Sequence, residues 1–101
     1  MKIIIVEIIG AHCTEYDQGD RIFSMIKDGL KSGDSVDVDM QGVQLATSSF
    51  FNAALGPLYG IYPVDILKTR VKISHLTKEM RHVISRSLEA TKKFYIEQKS
   101  A

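Results

Sequence analysis

Residues 36–51 read Val36-Asp37-Val38-Asp39-Met40-Gln41-Gly42-Val43-Gln44-Leu45-Ala46-Thr47-Ser48-Ser49-Phe50-Phe51, and the fold follows from how this stretch is parsed. Val36, Val38 and Met40 alternate with Asp37 and Asp39. A period of two puts the apolar side chains on one face and the acids on the other, which predicts a strand over residues 35–40. Gln41-Gly42 turns the chain, and Val43 and Leu45 predict a short buried crossing. Thr47-Ser48-Ser49 is a cluster of helix-capping residues. Behind it Phe50, Phe51, Ala54, Leu55 and Leu58 share roughly one helical face, so a helix is expected over residues 48–59.

Upstream, residues 3–8 are short, rich in isoleucine and valine and closed by Gly10, which fits a strand buried on both faces. Residues 11–18 are polar and irregular, a loop. Asp17 is placed to cap a helix starting near Gln18, in which Ile22, Phe23, Ile26 and Leu30 form one apolar stripe. That helix is expected over residues 18–32, with Gly33 just past its end. Downstream, Gly56-Pro57 strains the second helix, and residues 63–68 predict one or two helical turns with Pro63 at the first position. Val71 and Ile73 mark a third strand over residues 70–76. Thr77 caps a last helix over residues 77–98, whose inward stripe is Met80, Val83, Ile84, Leu88 and Phe94/Tyr95. Strands alternating with helices define an α/β fold: a small, mostly parallel sheet with helices packed against it. Such sheets place their sites at the C-terminal edge of the strands, which directs attention to residues 41–49.

The chain has 101 residues, 45% apolar and 25% charged, which excludes intrinsic disorder and suits one domain over residues 1–101. Thirteen basic residues stand against 12 acidic ones, net +1, so no overall field draws the chain to nucleic acid or an anionic membrane. The charge is nonetheless uneven. Residues 1–69 carry 5 basic and 9 acidic side chains; residues 70–101 carry 8 and 3. With no interleaved aromatics or groove-entering motif, the basic last helix reads as a solvated face rather than a nucleic-acid reader. A single cysteine cannot close an internal disulfide and suits a reducing, cytoplasmic setting. The longest apolar runs, residues 3–6 and 8–9, are far too short for a membrane span, and no leader-type cleavage site follows them.

The run from Val36 to Gln44, followed by Thr47-Ser48-Ser49-Phe50, resembles the signature of STAS domains: a strand ending in Asp, a short link containing Gly-Val, and an Asp-Ser-Ser/Thr-Gly-Leu turn that opens a helix. The longer run from Ser48 to Tyr59 resembles small STAS-like bacterial proteins, and the similarity extends over about residues 19–87. Thr47 stands where STAS domains usually carry Asp, and Phe50-Phe51 stands in place of Gly-Leu. In STAS anti-sigma factor antagonists the first serine of the turn is phosphorylated by a partner kinase with a histidine-kinase-type ATPase fold. The resemblance implies that Ser48, or Ser49 after it, is the phosphoacceptor. The partner-facing surface is expected at Asp39, Gln41, Gly42, Thr47, Ser48 and Asn52, although for Asn52 the resemblance itself slightly favours a structural role.

A physical reason stands beside the resemblance: the first turn of a helix favours negative charge, so a phosphate there leaves the fold intact while repelling an acidic partner. The plainer reading is that Thr47 or Ser48 only caps the helix. Asp37 and Asp39 are candidate paired carboxylates, with partner-facing or turn-stabilising roles as the alternatives. His12-Cys13 is the one Cys–His neighbourhood, and no base–orienter set accompanies it. His75 and His82 are candidate ligands only if the fold brings them together. Asn52 either meets a partner or satisfies a nearby loop backbone. No acid–base–nucleophile set assembles, no metal site and no cofactor site, so the expectation is a non-enzymatic regulatory protein-binding module. The alternative is a STAS domain that senses a small ligand or nucleotide. The oligomeric state, including a homo-oligomer, is left open.

Overall fold

The computed structural model describes the backbone of residues 1–100 and the side chains of residues 1–89 and Thr91. In chain order the elements are β1 (Lys2–Ile4), α1 (Ile5–Ile8), β2 (His12–Cys13), α2 (Tyr16–Lys31), β3 (Val36–Asp39), β4 (Leu45–Ala46), α3 (Ser48–Leu55), α4 (Leu58–Ile61), α5 (Val64–Arg70), β5 (Val71–Ser74) and α6 (Lys78–Ser100). The principal sheet has the order β1-β3-β5 and is parallel throughout. Ile3 lies opposite Val38, which lies opposite Ile73. The expected parallel α/β architecture is therefore present, with residues 36–39 as the central strand.

The apolar sides of these strands meet α2 and α3 in one core containing Ile3, Val36, Val38, Ile22, Ile26, Phe50 and Phe51. The rings of Phe50 and Phe51 pack edge to face with centroids 5.4 Å apart. Gly19 of α2 sits against α3: a β-carbon there would meet the Phe50 carbonyl oxygen and lie 2.7 Å from the Ala53 β-carbon. The two helices thus approach closely because position 19 has no side chain.

Several boundaries differ from the periodicity, each for a physical reason. The strand expected over residues 3–8 stops at Ile4, and Ile5–Ile8 closes into one helical turn. Its partner β3 ends at Asp39, so a longer β1 would have no ladder to join; Ile9 N–H instead donates to the Ile5 carbonyl at 2.8 Å. The first long helix begins at Tyr16 rather than Gln18, with Glu15 and not Asp17 as its cap residue. The Gln18 carboxamide oxygen reaches back to accept from the Thr14 and Glu15 N–H groups, both at 3.0 Å. The second helix ends at Leu55, because Pro57 has no N–H to extend the ladder; the chain resumes as α4. Pro63 caps α5 from outside instead of occupying its first position, and α5 runs on to Arg70. Arg70 therefore belongs to the helix, and its guanidinium donates to the carbonyls of Leu30 and Asp34 at 2.8 and 2.7 Å. The loop over residues 11–18 contains β2, which pairs in parallel with β4. In the expected buried crossing Val43 is buried, but Leu45 faces outward at 49% exposure. Gly33 (φ +88°) follows α2, and the Met80 N–H donates to the Thr77 hydroxyl at 3.1 Å, as the end signals predicted.

Candidate functional site

The C-terminal end of β3 delivers Asp39 to the sheet edge, and the chain then turns at once. The Gln41 N–H donates to Asp39 Oδ1 at 2.9 Å, a side-chain-closed turn in which Gly42 takes φ +87°. Residues 43–47 are pinned from beneath. Gln44 and Leu45 N–H donate to the Ala11 carbonyl at 2.8 and 3.1 Å, and Thr47 N–H donates to the Cys13 carbonyl at 3.0 Å. Val43 and Ala46 point into the core. What remains outward is Gln41, Gly42, Gln44, Leu45, Ser48, Ser49 and Asn52, all exposed.

Ser48 and Ser49 form the first turn of α3, with Phe50 and Phe51 behind them fully buried at 1% and 2% exposure. Thr47 is the N-cap residue by position but makes no capping bond to that turn. Its hydroxyl donates to the Thr14 carbonyl at 3.2 Å, so the loop is tied across to residue 14 and the helix start stays open. A groove beside Ser48 is lined by His82, Val83, Arg86 and Ser87 of α6. Among the described residues neither His82 nor Arg86 forms an ion pair.

Asp39 does not present its carboxylate outward, as expected of a partner-facing residue. It is buried at 4% exposure, and its oxygens are spent within the fold. Oδ1 also meets His75 Nδ1 at 2.8 Å, and Oδ2 lies 3.4 Å from the Lys2 ammonium. The Gln41 N–H foremost, then the His75 ring and Lys2, hold its carboxyl below the usual carboxylate range, against the opposing push of burial. Asp39 is thus the turn-stabilising residue of the two alternatives. Asp37 is engaged separately, accepting from the Ser74 hydroxyl at 2.8 Å, so the two acids do not form a shared pair.

His12 and Cys13 point to opposite sides of β2, His12 exposed and Cys13 buried. Burial pushes the Cys13 thiol up to about 11, which keeps it protonated and unreactive at neutral pH. His75 turns to Asp39, while His82 lines the groove beside Ser48. Among the described residues no group of three or more His, Cys, Asp or Glu side chains could hold a metal ion, and no helix is long and apolar enough to cross a membrane. Sequence reading missed Lys2, His75, Arg86 and His82 as neighbours of this region. They lie 30 or more residues from their partners, and the periodicity contains no signal for such pairings.

A family described as a STAS-like domain of unknown function (DUF4325) matches residues 18–81, which span the central strand, the 41–49 loop and the start of α6. No curated protein and no solved structure matches the chain.

Proposed function

The chain belongs to the STAS-like family, and on that premise we propose that it is a non-enzymatic regulatory module that docks on a partner protein through residues 41–49 and the start of α3. The observation that carries this reading is the contrast within one short stretch. Leu45, Ser48 and Asn52 are exposed on a backbone whose alternate side chains are buried and whose N–H groups are tied to residues 11 and 13. A rigid platform with an exposed leucine loses little ordering entropy on docking. The partner that the family resemblance suggests is a histidine-kinase-like ATPase, with Ser48 as the phosphoacceptor and Ser49 as the neighbouring candidate. A phosphate on Ser48 gains the uncapped first turn of α3 and, across the groove, Arg86 and His82, which form no ion pair among the described residues.

The test has two parts. Protein isolated from its own cells is examined by mass spectrometry for phosphate and for a co-purified partner. Affinity for that partner is then compared for wild type, Ser48→Asp and Ser48→Ala. Aspartate is a good residue at a helix start, so stability should stay within about 1 kcal/mol of wild type. Affinity should fall for Asp and persist for Ala, because a charge at the docking surface must be desolvated with no matching cation on the partner. Equal affinity of all three proteins refutes the switch and leaves Ser48 an ordinary helix-start residue.

The reading as a small-ligand sensor has one observation in its favour, an apolar groove away from this loop lined by Leu55, Leu58, Tyr59, Leu67 and Ile73 with Lys68 at its rim. Small apolar anions are the class that suits it, and binding with Lys68→Glu, an exposed lining residue, as the control decides that reading separately.

A further inference from the structure

We propose that His75 is a phosphoryl-acceptor site, its Nε2 taking a phosphoryl group from a phosphoramidate-type donor while the buried Asp39 carboxylate holds Nδ1. The site adjoins the docking loop through the Gln41 turn, but its chemistry is distinct from any at Ser48.

Three histidines are exposed in this chain, at positions 12, 75 and 82, and among the described residues His75 is the one seated on a carboxylate. An ionised carboxylate only accepts, so Nδ1 carries the proton and the lone pair lies on Nε2. Asp39 is itself fixed, by the Gln41 N–H at 2.9 Å and the Lys2 ammonium at 3.4 Å. The imidazole side chain is 55% exposed, so a fixed ring presents its free nitrogen to solvent. A carboxylate on the far nitrogen fixes the ring's tautomer and orientation and stabilises the imidazolium that forms when the near nitrogen attacks.

The backbone is arranged for this. His75 has φ +58°, the one non-glycine residue with a positive φ among those described. The conformation falls where β5 ends, beside the end of β3 and at the C-terminal edge of the parallel sheet. It is held on both sides. Before it, the Ser74 carbonyl accepts from Met40 N–H at 2.9 Å and the Ser74 hydroxyl donates to Asp37 at 2.8 Å. After it, the Thr77 hydroxyl caps α6. Strained residues persist only where their surroundings over-determine them, and they gather at functional sites. A reactive nitrogen on an exposed turn suits a group delivered by another molecule, rather than turnover of a substrate enclosed by this chain.

The step balances simply. The Nε2 lone pair forms the new N–P bond, and the P–N bond of the donor breaks, its electron pair leaving with ammonia. The Nδ1 proton stays between the ring and Asp39, whose charge offsets the imidazolium. No oxidant, metal or second substrate is involved.

The full chain is incubated with potassium phosphoramidate at neutral pH, and each histidine is followed by peptide mass mapping, with phosphorus NMR to identify the nitrogen. His12 and His82 are internal controls. Labelling at His75 Nε2 should be about tenfold faster than at the other two, the scale of an orienting carboxylate's effect. Asp39→Asn, verified as folded by circular dichroism, should bring His75 down to the rate of His12 and leave His12 and His82 unchanged. The proposal is overturned if wild-type His75 reacts no faster than His12 and His82, or reacts on Nδ1. It is overturned equally if the preference survives in folded Asp39→Asn. Should that variant not fold, the wild-type comparison decides alone. Acid-labile label on histidine is chemically distinct from acid-stable phosphate on Ser48, so the outcome is independent of the serine switch.

Discussion

Gly19→Ala tests whether the contact between α2 and α3 is set by the missing side chain. The new β-carbon would meet the Phe50 carbonyl oxygen and lie 2.7 Å from the Ala53 β-carbon. Ordinary carbon–carbon contacts are about 3.5–4.0 Å, so the helices must part by about 1 Å. Neither neighbour is the end of a flexible side chain, and the Phe50 ring behind is fully buried. Overpacking of this kind costs about 3 kcal/mol, the upper end of its usual range. Alanine recovers at most about 1 kcal/mol through its higher helix propensity, since Gly19 is the fourth residue of α2. The net loss is about 2 kcal/mol, which lowers the melting temperature of a 100-residue domain by roughly 8–16 °C. Urea and thermal unfolding measure both quantities. A variant as stable as wild type, or more stable, refutes the reasoning and means that the helix propensity gain outweighs the clash.

Two further outcomes are expected. Asp39 has a carboxyl pKa lowered by folding, so its contribution to stability is fully present above the ordinary carboxylate pKa and is lost as pH falls through that value toward the lower folded one; urea midpoints taken from neutral pH down to pH 3 should therefore fall less steeply in Asp39→Asn than in wild type. Cys13 is buried with its thiol pushed up to about 11, so iodoacetamide at neutral pH should leave the native protein unlabelled and modify it only in denaturant; rapid labelling of the folded protein would show that β2 opens.

The central strand, the Thr77 cap, the Gly33 stop and the presence of the long helices were legible in the sequence because local rules specify them, whereas the cap of α2 fell at Glu15 and not Asp17. Val36, Val38, Asp37 and Asp39 alternate, Thr77 stands one residue before α6, and Gly33 follows α2. The exposure of Ser48 above two buried phenylalanines was legible too, since capping residues followed by apolar ones describe a helix start on a core. The run of isoleucines at the N-terminus misled, because its composition suits a strand while its length in the sheet is set by where β3 ends. Leu45 misled in the same way: its apolarity suggests burial, but its pairing with His12 turns it outward. Tertiary structure alone decided that Asp39 would be enclosed by Lys2, Gln41 and His75. Two of those partners are separated from it by more than 30 residues and meet it only across parallel strands, each joined to β3 through a helical crossover. Local periodicity specifies the face on which a side chain lies, but register and crossover decide which distant side chain shares that face, and so decide the chemistry at the sheet edge.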